Sequence, residues 1–161
     1  MSIKPGERLP DAEFSVMTGD GQQKLSSDVI FAGRKVVLFA VPGAFTPTCS
    51  NNHLPGFLKE IAAIKAKGAD TVACTAVNDV HVMAAWASAS GAEGRIMMLA
   101  DGNGDFARAI GLNVDLAKAG MGERSRRYSM IVVNGVIKTL NVEDKSGVNV
   151  SGASTILEQL G

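Results

Sequence analysis

The chain is poor in cysteine, in aromatic residues and in net charge. Its two cysteines, Cys49 and Cys74, form neither a CxxC pair nor a disulfide framework, so each thiol has to be judged alone. Sixteen Lys and Arg residues balance sixteen Asp and Glu residues, which leaves no global field to hold nucleic acid or an anionic membrane. No segment approaches the roughly 20 apolar residues that a membrane span needs. These absences exclude nucleic-acid and membrane partners from the prediction.

The length and the N-terminus point to one domain in a reducing compartment. At 161 residues the chain is too short for two cores of ordinary size, so a single domain is expected over residues 1–161. Residues 1–9 include Lys4, Glu7 and Arg8 and lack the apolar stretch of a signal peptide. A cytoplasmic location is therefore the expectation.

The first half of the chain predicts a βαβ unit. Two short apolar runs rich in β-branched residues, at 35–41 and 71–77, are typical of buried strands. Between them apolar residues recur at helical spacing from Leu54 to Ile64, and Gly68 ends the pattern. Such a unit is expected to be right-handed, with parallel strands.

The second half adds a ββα unit. Asn78-Asp79 can cap a helix over residues 80–89, and the last two predicted strands flank Asn134-Gly135, a pair that fits a two-residue type I′ turn. The other predicted elements are a strand at 96–100, a short helix at 106–110, hairpin strands at 128–133 and 136–142, and a helix at 153–160. The prediction is an α/β protein whose central mixed sheet has helices on both faces, the layout of the thioredoxin-like fold.

The residues Val41 to Ser50, VPGAFTPTCS, form a turn from a strand into a helix. Thr46 can cap that helix and Pro47 suits its first position, so Cys49 falls in the first turn. Unpaired backbone N–H groups and the helix dipole favour a thiolate there. A lone cysteine is usually a small buried hydrophobe, but this placement favours a reactive one.

This segment resembles the active-site motif of the peroxiredoxins. Pro42, Thr46 and Cys49 have its P-x-x-x-T-x-x-C spacing, and the longer VPGAFTPTCSNNHLPGF is similar to the type II, or atypical, branch. The resemblance continues in collinear order through VACTAVND at 72–79, LAD at 99–101 and RRYSMIVVNG at 126–135. A thioredoxin-like fold is implied for nearly the whole chain.

The resemblance implies a thiol peroxidase without a metal or an organic cofactor. Cys49 would attack a hydroperoxide substrate and become a sulfenic acid. The Thr46 hydroxyl and the Cys49 backbone N–H would hold the peroxide, and Arg127 would stabilise the thiolate and align the oxygens. Pro42 would shield the sulfur. Rival interpretations are that Thr46 is only a helix cap rather than both cap and peroxide ligand, that Pro42 simply ends a strand, and that Arg126 takes the place of Arg127.

His53 lies one turn after Cys49 on the same helical face. We expect it at the edge of the substrate pocket or behind it. A cysteine–histidine acyl hydrolase is the second enzyme hypothesis, although no acid or amide partner is visible. Pro55-Gly56 should kink the helix just past the site, which would let the first turn open.

Recycling of the oxidised enzyme is expected to need an outside thiol. Type II relatives that close an internal disulfide have their second cysteine in a segment resembling residues 147–155, where this chain has none, and Cys74 lies in a predicted strand. The resemblance therefore implies a one-cysteine cycle with glutathione and glutaredoxin, or thioredoxin, and it suggests a homodimer. A peroxide-sensing relay or chaperone module using the same cysteine is the alternative from another class.

Overall fold

The computed structural model describes residues 2–161, whose main element is a seven-stranded mixed sheet of order β2-β1-β5-β4-β3-β8-β9. Its strands are β1 (Glu13–Thr18), β2 (Gly21–Ser26), β3 (Lys35–Ala40), β4 (Thr71–Ala76), β5 (Met97–Ala100), β8 (Tyr128–Val133) and β9 (Val136–Val142). A separate two-stranded sheet pairs β6 (Asn113–Asp115) with β7 (Glu123–Ser125). The helices are α1 (Ser27–Phe31), α2 (Leu54–Ala66), α3 (Val80–Ser90), α4 (Asp105–Ala109) and α5 (Ala153–Leu160).

The predicted βαβ and ββα units are both present, within a residue or two of the expected bounds. β3 pairs in parallel with β4, which pairs in parallel with β5, while β8 runs antiparallel to β3 and to β9. The turn between β8 and β9 has φ of 50° at Asn134 and 78° at Gly135, as the type I′ prediction requires. The Asp79 side chain caps α3 by accepting from two backbone N–H groups, which also confirms the predicted cap.

Strand β3 shows why the sheet is covered on both faces. Its side chains alternate between two hydrophobic cores, one on each face of the sheet. Val37 and Phe39 pack in the core that includes residues of α2, α3 and α5. Val36 and Leu38 pack in the core that includes residues of α1 and α4. A strand buried on both sides needs apolar residues at every position, so the run reads as continuous rather than alternating. The mixed sheet with helices on both faces is confirmed.

The edge hairpin β1–β2 was not predicted. The second strand, GQQKLS, is mostly polar and largely exposed, and it pairs with β1 on one side only. Exposed edge strands favour polar and charged side chains, which removes the apolar alternation that sequence patterns detect.

Among the helices of residues 2–161, none is both long and apolar enough to span a bilayer.

Candidate active site

The helix that contains Cys49 begins at Pro47, and its first backbone bond runs from the Ser50 N–H to the Thr46 carbonyl at 2.9 Å. Thr46 thus has the backbone position of a cap. Its hydroxyl donates to the Gly43 carbonyl at 2.6 Å, so the backbone of Thr46 and not its side chain provides the cap. The Cys49 N–H precedes the first helical bond and has no acceptor within residues 2–161.

The turn at Cys49 is wider than an α-helix. Residues Cys49–His53 form a π turn, in which the Leu54 N–H bonds to the Cys49 carbonyl five residues back. Pro55 follows in the first turn of α2, and a helical proline has no N–H and crowds the carbonyl four residues earlier. The expected distortion is therefore real but displaced: it falls on the segment that begins with Cys49, not beyond it.

Arg127 brings its guanidinium to the buried Cys49 sulfur. Its Nη2 lies 3.1 Å from Sγ, a donor distance that suits a thiolate acceptor. Arg127 directly precedes β8, and the antiparallel register of β8 with β3 places Tyr128 opposite Ala40, where β3 ends. Arg126 is exposed, so the rival assignment to Arg126 is not supported by its position.

His53 is buried, and both of its ring nitrogens make contacts within the protein. Nε2 donates to the Ser151 carbonyl at 2.9 Å, and Nδ1 lies 2.9 Å from Arg127 Nη1. A carbonyl oxygen only accepts, so Nε2 bears the proton and Nδ1 accepts from Arg127. No ring nitrogen remains for a peroxide, and the substrate contact expected of His53 is replaced by a contact with Arg127. The ring also packs against Phe39 and Phe57, which stack on each other.

The environment of His53 keeps it neutral. Burial is the largest cause that lowers the pKa of His53 to about 4; Arg127 lowers it further, while the Ser151 carbonyl and Glu143 act in the opposite direction. The acyl-hydrolase hypothesis needs a histidine nitrogen facing the cysteine as a general base. Here that nitrogen faces a guanidinium, so the geometry speaks against this hypothesis.

Glu143 and Ser151 extend the site beyond what the sequence indicated. One Glu143 oxygen accepts from the backbone N–H groups of Asn149, Val150 and Ser151 at 2.7–2.8 Å and from the Ser151 hydroxyl at 2.7 Å. Burial raises the pKa of Glu143, but these hydrogen bonds outweigh it and the net pKa is lowered. The only sequence signal was an acidic residue directly after a strand, which is too common to single out.

Two neighbours brace the turn that precedes Cys49. The Ala44 N–H donates to Asn78 Oδ1 at 2.9 Å, and Arg124 Nη1 donates to the carbonyl of the half-buried Pro42 at 3.3 Å. A Cβ at Gly43 would lie only 3.0 Å from both Arg124 Nη1 and Met121 Cε, so a larger residue there would displace these side chains. Arg124 therefore supports the turn that precedes Cys49.

Cys74 is the second buried thiol. It lies in β4, in the same core cluster as Cys49, and burial raises its pKa well above the usual range, with the Cys49 charge raising it further and Arg127 opposing. A thiol of this kind is poorly nucleophilic.

No cluster of three or more potential metal ligands occurs in the part of the chain that the structure describes, residues 2–161.

Comparison with known proteins assigns the chain to a family. The sequence matches the Redoxin family over residues 4–157, so the chain belongs to that family. It is 44% identical over 164 residues to the chloroplastic peroxiredoxin-2E-2 of Oryza sativa, covering 99% of this chain and 73% of the relative. It is 43% identical to peroxiredoxin-2C of the same plant, covering 98% of both chains.

A solved structure agrees over the whole chain. Reduced Prx3 from Vibrio vulnificus in complex with H2O2 superposes with a TM-score of 0.95 at 50% identity, covering 99% of each chain. Within the Redoxin family the chain is a peroxiredoxin, a thiol-dependent peroxidase with the thioredoxin-like fold.

Proposed function

We propose that Cys49 is the nucleophile with which this peroxidase attacks hydrogen peroxide and small alkyl hydroperoxides. The thiolate sulfur bonds to one peroxide oxygen, the O–O bond breaks, and water or an alcohol leaves after taking up a proton. Sulfur is oxidised to a sulfenic acid and the peroxide is reduced. The observation that supports this most directly is the 3.1 Å contact between Arg127 Nη2 and Cys49 Sγ at the start of a helix.

Three groups around the sulfur suit a peroxide. The Thr46 hydroxyl proton is directed to the Gly43 carbonyl, so its oxygen is left to accept a hydrogen bond from the peroxide O–H. The unpaired Cys49 N–H and the Arg127 guanidinium supply donors for the oxygens as charge develops on them. Pro42 would form the wall of the pocket and limit the access of water to the sulfur.

Recycling of the sulfenic acid is proposed to depend on an outside thiol. Cys74 is buried in β4 with a raised pKa, and residues 147–155 contain no cysteine. Glutathione with glutaredoxin, or thioredoxin, would form a mixed disulfide with Cys49 and then remove it by exchange. Cys49 is fully buried, so the π turn has to open before a thiol of that size reaches the sulfur.

A homodimer is proposed to form close to the site. Phe45, directly before Thr46, is 53% exposed, and its positive φ of 65° is unusual for a bulky residue. An exposed aromatic side chain in a fixed conformation is typical of an interface anchor.

The cytoplasmic location stays a prediction.

The test is peroxide consumption with each thiol system. Wild type should consume many equivalents of hydrogen peroxide with at least one of the two donors, and Cys49→Ser should consume none while keeping its circular dichroism spectrum. A sensor or chaperone module would consume one equivalent and stop. Substantial turnover by Cys49→Ser would show that another group is the nucleophile.

A further inference from the structure

We propose that Glu143 is a positioning residue of the peroxidase site and acts on Arg127 through Ser151 and His53. This inference rests on the proposed role of Cys49 and adds to it the origin of the Arg127 geometry. The connection is a continuous series of hydrogen bonds from a buried carboxylate to the nucleophile.

The first step is the loop that Glu143 organises. Three consecutive N–H groups, of residues 149–151, converge on one carboxylate oxygen, which is a backbone nest for an anion. The same oxygen also accepts a hydrogen bond from the Ser151 hydroxyl. Hydrogen bonds to a charged acceptor are stronger than hydrogen bonds between neutral groups. The loop has no regular secondary structure of its own, so the carboxylate is what fixes the position of the Ser151 carbonyl.

The second step is the tautomer of His53. The Ser151 carbonyl accepts from Nε2 and thereby leaves the lone pair of the neutral ring on Nδ1. The opposite tautomer would set the Nε2 lone pair against the Ser151 carbonyl oxygen and its single N–H, on Nδ1, against the N–H of Arg127. Only the first tautomer offers Arg127 an acceptor.

The third step is the orientation of the guanidinium. Arg127 donates through Nη1 to His53 and through Nη2 to Cys49, so the two ends of a planar fork are fixed together. A backbone hydrogen bond also connects the two residues directly, because the Glu143 N–H donates to the Arg127 carbonyl at 3.0 Å. Glu143 therefore holds both the strand position of Arg127 and, through the loop, the direction of its side chain.

The experiment compares Glu143→Ala and Glu143→Gln with Glu158→Ala, which removes an exposed acid from α5. The first reading is the imidazole ¹⁵N spectrum of the reduced protein at pH 7, without peroxide. The second is the rate of the first reaction with peroxide, measured by stopped flow before any recycling.

Wild type and Glu158→Ala should show His53 as a single Nε2–H tautomer. Glu143→Ala should show mixed tautomers and react with peroxide up to about a hundredfold more slowly, because a misplaced catalytic group can lose that much. Glu143→Gln keeps an acceptor oxygen and should recover most of the rate.

Two results would overturn the inference. One is an Nδ1–H tautomer in the wild type, which needs no variant to fold. The other is a folded Glu143→Ala protein with wild-type tautomer and rate. Neither depends on recycling, and failure of the proposed function would appear separately as turnover by Cys49→Ser.

Discussion

Trp86 on α3 donates its indole N–H to the Ser50 hydroxyl at 3.0 Å, one residue away from Cys49. This bond connects α3 to the π turn that contains Cys49. Trp86 is the only tryptophan of the chain and is buried. The indole is therefore a built-in reporter of the turn that has to open.

Oxidation of Cys49 should change the fluorescence of Trp86. One equivalent of peroxide converts the thiolate to a sulfenic acid, which weakens its pairing with Arg127 and loosens the turn that contacts the indole. Stopped-flow fluorescence should show one phase whose rate rises linearly with peroxide. Cys49→Ser should show no phase, and Ser50→Ala should show a smaller amplitude at an unchanged rate.

Arg127→Gln should slow the reaction with peroxide far more than Arg126→Gln does. Loss of one preorganised donor typically costs about 3 kcal/mol, roughly a hundredfold or more in rate. The neighbouring Arg126 is exposed and makes a matched control for the loss of one positive charge. Equal rates for the two variants would remove Arg127 from the site.

Thr46→Val should slow peroxide reduction while Thr46→Ser keeps most of it. Valine has nearly the shape of threonine but cannot accept the peroxide O–H, whereas serine retains the oxygen. The cost should be about 1–3 kcal/mol, the range for an unmade buried hydrogen bond. The measurement is the second-order rate with hydrogen peroxide at pH 7. A full rate in Thr46→Val would mean that the hydroxyl only holds the turn through Gly43.

The fold should lose stability in mild acid because of His53. The pKa of His53 falls from 6.5 to about 4 on folding, mainly through burial, so the unfolded chain binds its proton first. The stabilisation is complete above pH 6.5 and fades as the pH falls towards 4, by about 3 kcal/mol in all.

Urea unfolding between pH 4 and pH 7 measures this loss. His53→Gln should lack this part of the pH dependence, whereas His81→Gln, which removes the exposed second histidine, should retain it. Parallel curves for the wild type and His53→Gln would show that another group is responsible.

Cys74→Ala should recycle as fast as the wild type. Cys74 is buried, its pKa is raised, and disulfide formation needs Cα atoms within about 7 Å and matching side-chain directions. Intact mass after one equivalent of peroxide and excess glutathione should give one glutathione adduct on both proteins. A Cys49–Cys74 disulfide in the wild type, with turnover lost in Cys74→Ala, would make Cys74 the resolving thiol.

Much of this molecule could be predicted from local patterns. β3 and β4 are continuous apolar runs because both faces of each strand are buried, and Asn134-Gly135 determines its own turn. The position of Cys49 at a helix start followed from Thr46 and Pro47. Each of these signals lies within a few residues of the feature that it predicts.

The parts that were missed depend on contacts between distant segments. Nothing near His53 reveals that its ring would meet Arg127 and the Ser151 carbonyl, 74 and 98 positions away. The Thr46 hydroxyl can either accept from a helix N–H or donate to the Gly43 carbonyl, and the packing of the folded chain determines which contact it makes. Pro55 signalled a distortion but not its place, because the ring acts on the preceding turn.

The location of these partners along the chain has a consequence for biosynthesis. The ribosome delivers Cys49 before Arg127, Glu143 and Ser151, and Arg127 follows it by 78 positions. A growing chain that ends before Arg127 has the Cys49 thiol without the guanidinium that is proposed to stabilise its thiolate. On this proposal we expect peroxidase activity only after β8 has been made and has docked beside β3, and we expect a product truncated before Arg127 to be unreactive towards peroxide.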